Sequence, residues 1–285
     1  MNCLEQRKLT GCTGTVFEER TLDMELHVEN NTLFGFKRDG HIWLNGEPEY
    51  MHLVVPDTVT AIADFAFDGC KEIIGVTIPG SVKSIGKEAF FCCRNLREIV
   101  MEEGVETIGD SAFEMGFFGN SLTLPNSIRS IGERAFYDTG LDVLHLPEGV
   151  ETIGRSAFCK CNYLTSLHIP GSIKSLPDRA FADCTQLEEV SFSEGVQYVG
   201  ERAFFNCRNL VEVAFAEGLQ RIEANAFEEC YALTDIKFPK SLVYIDETAF
   251  WDSYQVEKVW LPVHLKDQVE AAFRDVYPEV EYIYY

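Results

Sequence analysis

Residues 164–186 read LTSLHIPGSIKSLPDRAFADCTQ, and most positions in that stretch have a counterpart one period away. The anchor is Ala-Phe, whose Phe recurs at 67, 90, 113, 136, 158, 181, 204, 227, 250 and 273. Every step is 23 residues except the 22 between Phe136 and Phe158. A fixed period of 20–50 residues signals a solenoid or a propeller, and a propeller blade takes about 40. The period therefore predicts a solenoid.

The remaining positions keep phase with the Phe. Five before it stand Ile62, Ile85, Ile108, Ile131, Ile153, Leu176, Val199, Ile222 and Ile245. Eight before it stand Val59, Val82, Val105, Ile128, Val150, Ile173, Val196, Leu219 and Leu242. After it come Leu96, Leu164, Leu187, Leu210 and Leu233, then alternating pairs such as Leu167/Ile169 and Ile236/Phe238. The alternation reads as a short strand with one buried face. Pro79, Pro125, Pro147, Pro170 and Pro239 end that strand, since proline supplies no ladder donor. Gly86, Gly109, Gly132, Gly154 and Gly200 are expected to permit a sharp turn before Ala-Phe. Twenty-three residues leave no room for a full crossover helix. One such coil cannot bury its apolar side alone, but stacked coils share a continuous core.

A unit of this length and pattern resembles the BspA-like branch of leucine-rich repeat proteins, over residues from about 51 to 262. The resemblance implies a curved right-handed β-solenoid. It also implies a bacterial or protist surface protein that binds matrix proteins or other cells. No catalytic motif comes with the family.

The expected organisation is an N-terminal segment with a β cap at 1–50, about nine rungs at 51–262, and a C-terminal cap at 263–285. Leu22, Met24, Leu26 and Val28 alternate with polar residues; Asn30-Asn31 and Asp39-Gly40 frame two further strand-like runs, Thr32–Phe36 and 41–44. Residues 1–20 show no period. At the other end Gln268 stands where a core Ile belongs, 263–274 reads as an amphipathic helix, and 280–285 as a strand. Terminal repeats of a solenoid need a modified outer face.

Composition narrows the function. The 285 residues carry 46 acidic and 24 basic side chains, a formal charge of −22, which repels a phosphate backbone and disfavours nucleic acid. No run approaches the roughly 18–20 apolar residues of a membrane span, and no secretory leader is visible at the N-terminus. Free cysteines without a leader favour a reducing compartment, whereas the resemblance implies the cell surface.

The chemical motifs dissolve into the period. Cys70, Cys93, Cys161, Cys184, Cys207 and Cys230 each follow a repeat Phe by three, so they read as small inward hydrophobes. Cys92-Cys93 and Cys159/Cys161 lack zinc-ligand spacing; Cys3 and Cys12 are the expected exposed thiols. Gly109-Asp110-Ser111 mimics a hydrolase nucleophile block but is the local copy of the turn before Ala-Phe. Asn30-Asn31-Thr32 fits a glycosylation sequon and reads as a turn. No phosphate-cradling glycine loop, paired-His zinc helix or nucleophile elbow is present. The chain reads as no enzyme and without a cofactor.

The outward columns of the strand ladder carry the functional expectation. One runs Gly75, Glu98, Ser121, Val143, Ser166, Glu189, Glu212, Asp235, Lys258; the next runs Thr77, Val100, Thr123, His145, His168, Ser191, Ala214, Lys237, Trp260. Glu189, Glu212 and Asp235 in register stack like charges, which is unfavourable unless neutralised. That reads either as the seat of a cationic partner or as a solvated face with Lys237 and Lys258 as counter-charges. His145 and His168 are near enough to share a metal but lack a third ligand, and read first as surface imidazoles. Trp260 reads as an interface anchor or as a residue covered by the tail. The rungs at Phe113 and Phe136 lose the cysteine, and Phe117 and Phe118 there either fill the missing volume or expose an aromatic to a partner.

The expectation is a scaffold for a basic protein or surface polymer, with no membrane insertion and a monomer as the favoured state. The alternatives are a self-associating structural protein and, further behind, an enzyme with an unrecognised site.

Overall fold

The computed structural model describes residues 25–36, 50–116, 122–274 and 280–285. A hairpin opens it, β1 (Leu26–Glu29) and β2 (Thr32–Phe36). Most of the following coils contribute a front strand and, after a turn that carries proline in most of them, a two-residue second strand. The first coils give β3 (Met51–Val54), β4 (Ala61–Ile62), β5 (Ile73–Ile78), β6 (Ser84–Ile85), β7 (Glu98–Met101) and β8 (Thr107–Ile108). The irregular middle gives β9 (Leu122–Thr123), β10 (Ser130–Ile131), β11 (Leu144–His145) and β12 (Thr152–Ile153). Next come β13 (Ser166–Ile169), β14 (Ser175–Leu176), β15 (Glu189–Phe192), β16 (Tyr198–Val199), β17 (Glu212–Ala214) and β18 (Arg221–Ile222). The last are β19 (Asp235–Lys237), β20 (Tyr244–Ile245), β21 (Lys258–Leu261), helix α1 (Lys266–Ala272) and β22 (Glu281–Tyr284). The result is a mainly-β solenoid of about ten turns, all coil-to-coil pairing being parallel.

The core follows the period. The ten repeat Phe residues, all buried, form one file of stacked rings with centroids 4.9–5.7 Å apart. Phe36 closes the file at the N-terminal end, edge-on to Phe67 at 5.1 Å. Beside the file, buried thiols of Cys93, Cys161, Cys184, Cys207 and Cys230 donate to the Phe carbonyl of the preceding coil at 3.1–3.4 Å. Ser253 takes the same place in the last coil, donating to the Phe227 carbonyl at 2.9 Å. These positions are thus both small apolar fillers and donors to buried carbonyls; Cys70, in the first coil, is only half-buried. Burial pushes up the thiols of Cys93, Cys184, Cys207 and Cys230, and that of Cys159 to about 12, so these five are inert rather than reactive.

The role expected of the turn glycines is corrected. In most coils left-handed residues lie two before and two after the Phe, as at Arg179 (φ 55°) and Asp183 (φ 60°), and these are mostly not glycine. The glycines are needed for close stacking instead: a Cβ on Gly154 would meet the Glu133 nitrogen at 2.3 Å, and one on Gly132 the Asp110 nitrogen at 2.5 Å.

Both caps form. β2 pairs parallel with β4, Leu33 beside Ile62, so the hairpin covers the edge of the second sheet. The expected run at 41–44, residues 1–24, Cys3 and Cys12 lie outside the described residues. At the far end a short 3-10 turn, Val263–Leu265, leads into α1. Gln268 of α1 accepts the Ile245 N–H at 3.2 Å, taking the place of the carbonyl that another strand would present. β22 then adds to the front sheet beside β21. Among the described helices none is long and apolar enough to cross a membrane.

Candidate functional site

The front sheet carries alternate residues outward because strand side chains alternate faces. Register confirms the acidic column: Ser166, Glu189, Glu212, Asp235, Lys258 and Glu281 are successive Cα partners from β13 to β22. Glu189, Glu212 and Asp235 are exposed, at a strand spacing of about 4.8 Å. Among the described residues none of these three carboxylates makes an ion pair. Lys258, one of the expected counter-charges, instead lies 3.9 Å from Glu281 of the tail.

Four of the expected residues come together. His145, His168, Glu189 and Glu212 line one trough of about 370 Å³, with Ser166, Ser191 and Ala214 between them. His168 is fixed by two hydroxyls, Nδ1 to Ser191 Oγ at 2.8 Å and Nε2 to Ser193 Oγ at 2.9 Å. Both its nitrogens are thereby occupied, which argues against its use as a metal ligand. Among the described residues no group of three or more His, Cys, Asp and Glu side chains is placed to hold a metal ion. Asp235 and Lys237 lie one rung beyond the trough. Trp260 is half-buried, with Ile283 of β22 as its register partner. Phe117 and Phe118 lie outside the described residues.

Glu98 belongs to a different hollow. Among the described residues no strand pairing joins β7 to β9, nor β11 to β13, so the front ladder is interrupted at both places. At the first interruption a groove of about 800 Å³ opens, lined by Arg97, Glu98, Val100, Thr123, Asp142 and Val143 among others. Val143 lines both hollows, so they form one run along the front.

Two residues here escaped the sequence reading. His52 is the register partner of Gly75, in the same column as Glu98, so its phase could have revealed it. Its Nε2 is 2.8 Å from Thr77 Oγ1 and its Nδ1 is 3.8 Å from Glu98, the ring lying where a Cβ on Gly75 would stand. Asp142 left no signal in sequence, because its significance is the burial of one oxygen.

A stack of strand-and-turn coils around a Phe file, with an exposed parallel front, is a repeat scaffold of the leucine-rich-repeat type. The pattern of the BspA type leucine rich repeat region matches this sequence in six copies, over 46–165, 119–226 and 151–279, and the chain belongs to that family. Its fold is similar to a leucine-rich repeat protein of T. pallidum at 25% identity and TM-score 0.52, covering 74% of this chain and 87% of that one. A leucine-rich repeat protein from Bacteroides ovatus is 21% identical with TM-score 0.46, covering 94% and 100%. A leucine rich cell surface protein from Faecalibacterium prausnitzii is 19% identical with TM-score 0.41, covering 95% of each. No curated protein matches the chain in sequence.

Proposed function

We propose that this protein is a non-enzymatic binding scaffold whose front face takes a basic segment of a partner protein or surface polymer. The observation that carries the reading is the in-register file Glu189–Glu212–Asp235, exposed and without an ion pair among the described residues. Like charges held side by side raise the energy of the free protein, and a cationic partner lowers it. The ladder is held by the core beneath, so little ordering is lost on binding. The formal charge of −22 steers basic partners and makes association salt-sensitive. A place on a bacterial surface belongs to the same reading and rests on the family.

The test is capture from host-matrix and own-cell extracts by wild type and by the triple variant Glu189→Gln, Glu212→Gln, Asp235→Asn. The expected result is a basic partner retained by wild type at low salt and lost by the variant. Equal capture by both moves the site off this ladder. Light scattering that shows only self-association supports the structural alternative instead.

A further inference from the structure

The groove between β7 and β9 has its own chemistry. The coil at Phe136–Phe158 is one residue short, the deletion falling between Thr139 and the repeat leucine Leu141, which precedes Asp142. Asp142 is half-buried in the groove wall. Its Oδ1 is shut off from solvent and has no hydrogen-bond partner among the described residues. That oxygen has therefore lost hydration and gained no hydrogen bond from the described residues, a costly arrangement for a charged group. A cation set against the groove side of the same carboxylate would offset that cost, and it would act where less water competes.

The surroundings specify the rest of the ligand. Glu98 stands on the same groove, and among the described residues Arg97 is the only basic one lining it. Val100, 41% exposed, and the half-buried Val143 give it an apolar floor. Among the described residues no strand pairing joins β7 to β9, so the groove lies across an interruption of the ladder. Through Val143 the groove runs on into the trough of His168, Glu189 and Glu212. From the rung of Glu98 to that of Glu212 is five strand spacings, about 24 Å, the length of roughly seven extended residues.

We infer that this groove is a peptide-binding subsite that takes an arginine of an extended basic segment, with Asp142 as its anchor and Val100 and Val143 as the seat of an adjacent apolar side chain. The inference rests on the front face taking a basic partner, but it places the anchor at the short coil rather than on the acidic ladder. Arginine fits better than lysine because its guanidinium is more weakly hydrated than an ammonium and so loses less on entering a partly apolar groove to bond the one accessible oxygen.

The experiment titrates a fluorescein-labelled peptide of four Arg-Val repeats into wild type, Asp142→Asn, Thr123→Trp and the ladder triple variant, with a melting curve for each. Asp142→Asn is expected to weaken binding about tenfold, the scale of one charge-assisted hydrogen bond, while leaving Tm unchanged or higher, because it removes an unpaired charge. Thr123 is exposed, so Thr123→Trp fills the groove without touching the core, and it should abolish binding. If Asp142→Asn lowers Tm and leaves affinity unchanged, Asp142 serves the fold and the inference is overturned. If Asp142→Asn fails to fold, unchanged binding to Thr123→Trp overturns it and loss of binding supports it. Loss in the triple variant alone also overturns it, while keeping the ladder reading; loss in Asp142→Asn and Thr123→Trp alone supports it and removes the ladder reading. A wild type that does not bind the peptide overturns it outright.

Discussion

Cys207 condenses the logic of a single position in this repeat. It is fully buried, stands beside the Phe file, and donates from sulfur to the carbonyl of Phe181 at 3.4 Å. Ser253 occupies the equivalent place with an oxygen donor and a shorter bond. Cys207→Ser is accordingly expected to fold with a stability within about 1 kcal/mol of wild type, the hydroxyl being satisfied by the same carbonyl. Cys207→Ala keeps a small apolar group but leaves the carbonyl without that donor, and should cost about 1–3 kcal/mol. Urea unfolding of the two variants measures the difference. If Ser costs more than Ala, the position is purely one of apolar packing.

At the scale of elements, the ends of the solenoid show how an open ladder is closed. Gln268 lies one coil beyond Ile245 in the column that otherwise carries Ile, Leu or Val, and its side-chain oxygen receives the Ile245 N–H. His264 adds a second closure, its Nε2 lying 2.8 Å from the Leu242 carbonyl. Gln268→Leu restores the apolar consensus yet should destabilise by about 1–3 kcal/mol, since a buried backbone donor loses its acceptor. Amide exchange at Ile245 should quicken more than exchange in the central strands; equal protection in variant and wild type counts against the cap. Within the coils, exposed carboxylates do similar work. Glu103 accepts from the backbone N–H of Asn126 and then from that of Ser127, and Glu217 from Lys240 and then Ser241. These bonds hold both carboxyls below the usual range, the backbone N–H of Asn126 and of Lys240 being the larger cause in each.

For the whole molecule, the two ladders break at the same place. The front ladder stops between β11 and β13, and the second between β12 and β14. In the second ladder the reason is Pro177, which stands where Gly132, Gly154 and Gly200 each donate an N–H to the strand before. Proline has no such donor. Across this seam the coils are still joined by the Phe file, with Phe158 and Phe181 5.2 Å apart, and by turn hydrogen bonds such as Phe158 N–H to the Ala180 carbonyl at 2.9 Å. Solenoid stability is roughly a sum of coil and interface contributions, so the weakest interface is expected at the seam. Native-state hydrogen exchange under mild urea should resolve two cooperative blocks that meet between residues 153 and 166. A single uniform block would show that the Phe file alone couples the halves fully. Part of the trough, from His145 to His168, straddles this seam.

The fold was legible because a 23-residue period is a one-dimensional signal. Phe, Ile, Val, Leu and Cys recur in phase, and each coil can bury them only against its neighbours. Phase also placed Glu189, Glu212 and Asp235 in one exposed column, since strand register and alternation follow from the same count. Periodicity cannot report what the non-repeating parts do. That Lys258 turns to Glu281, that Trp260 gains a neighbour in Ile283, and that Gln268 closes a ladder all depend on how 263–285 folds back. The glycines show the same limit: their spacing is visible in sequence, but the close approach that demands them is a contact between coils. Asp142 marks the limit most clearly. Sequence shows one missing residue, and only the packing of that short coil against its neighbours shuts a carboxylate oxygen away from water.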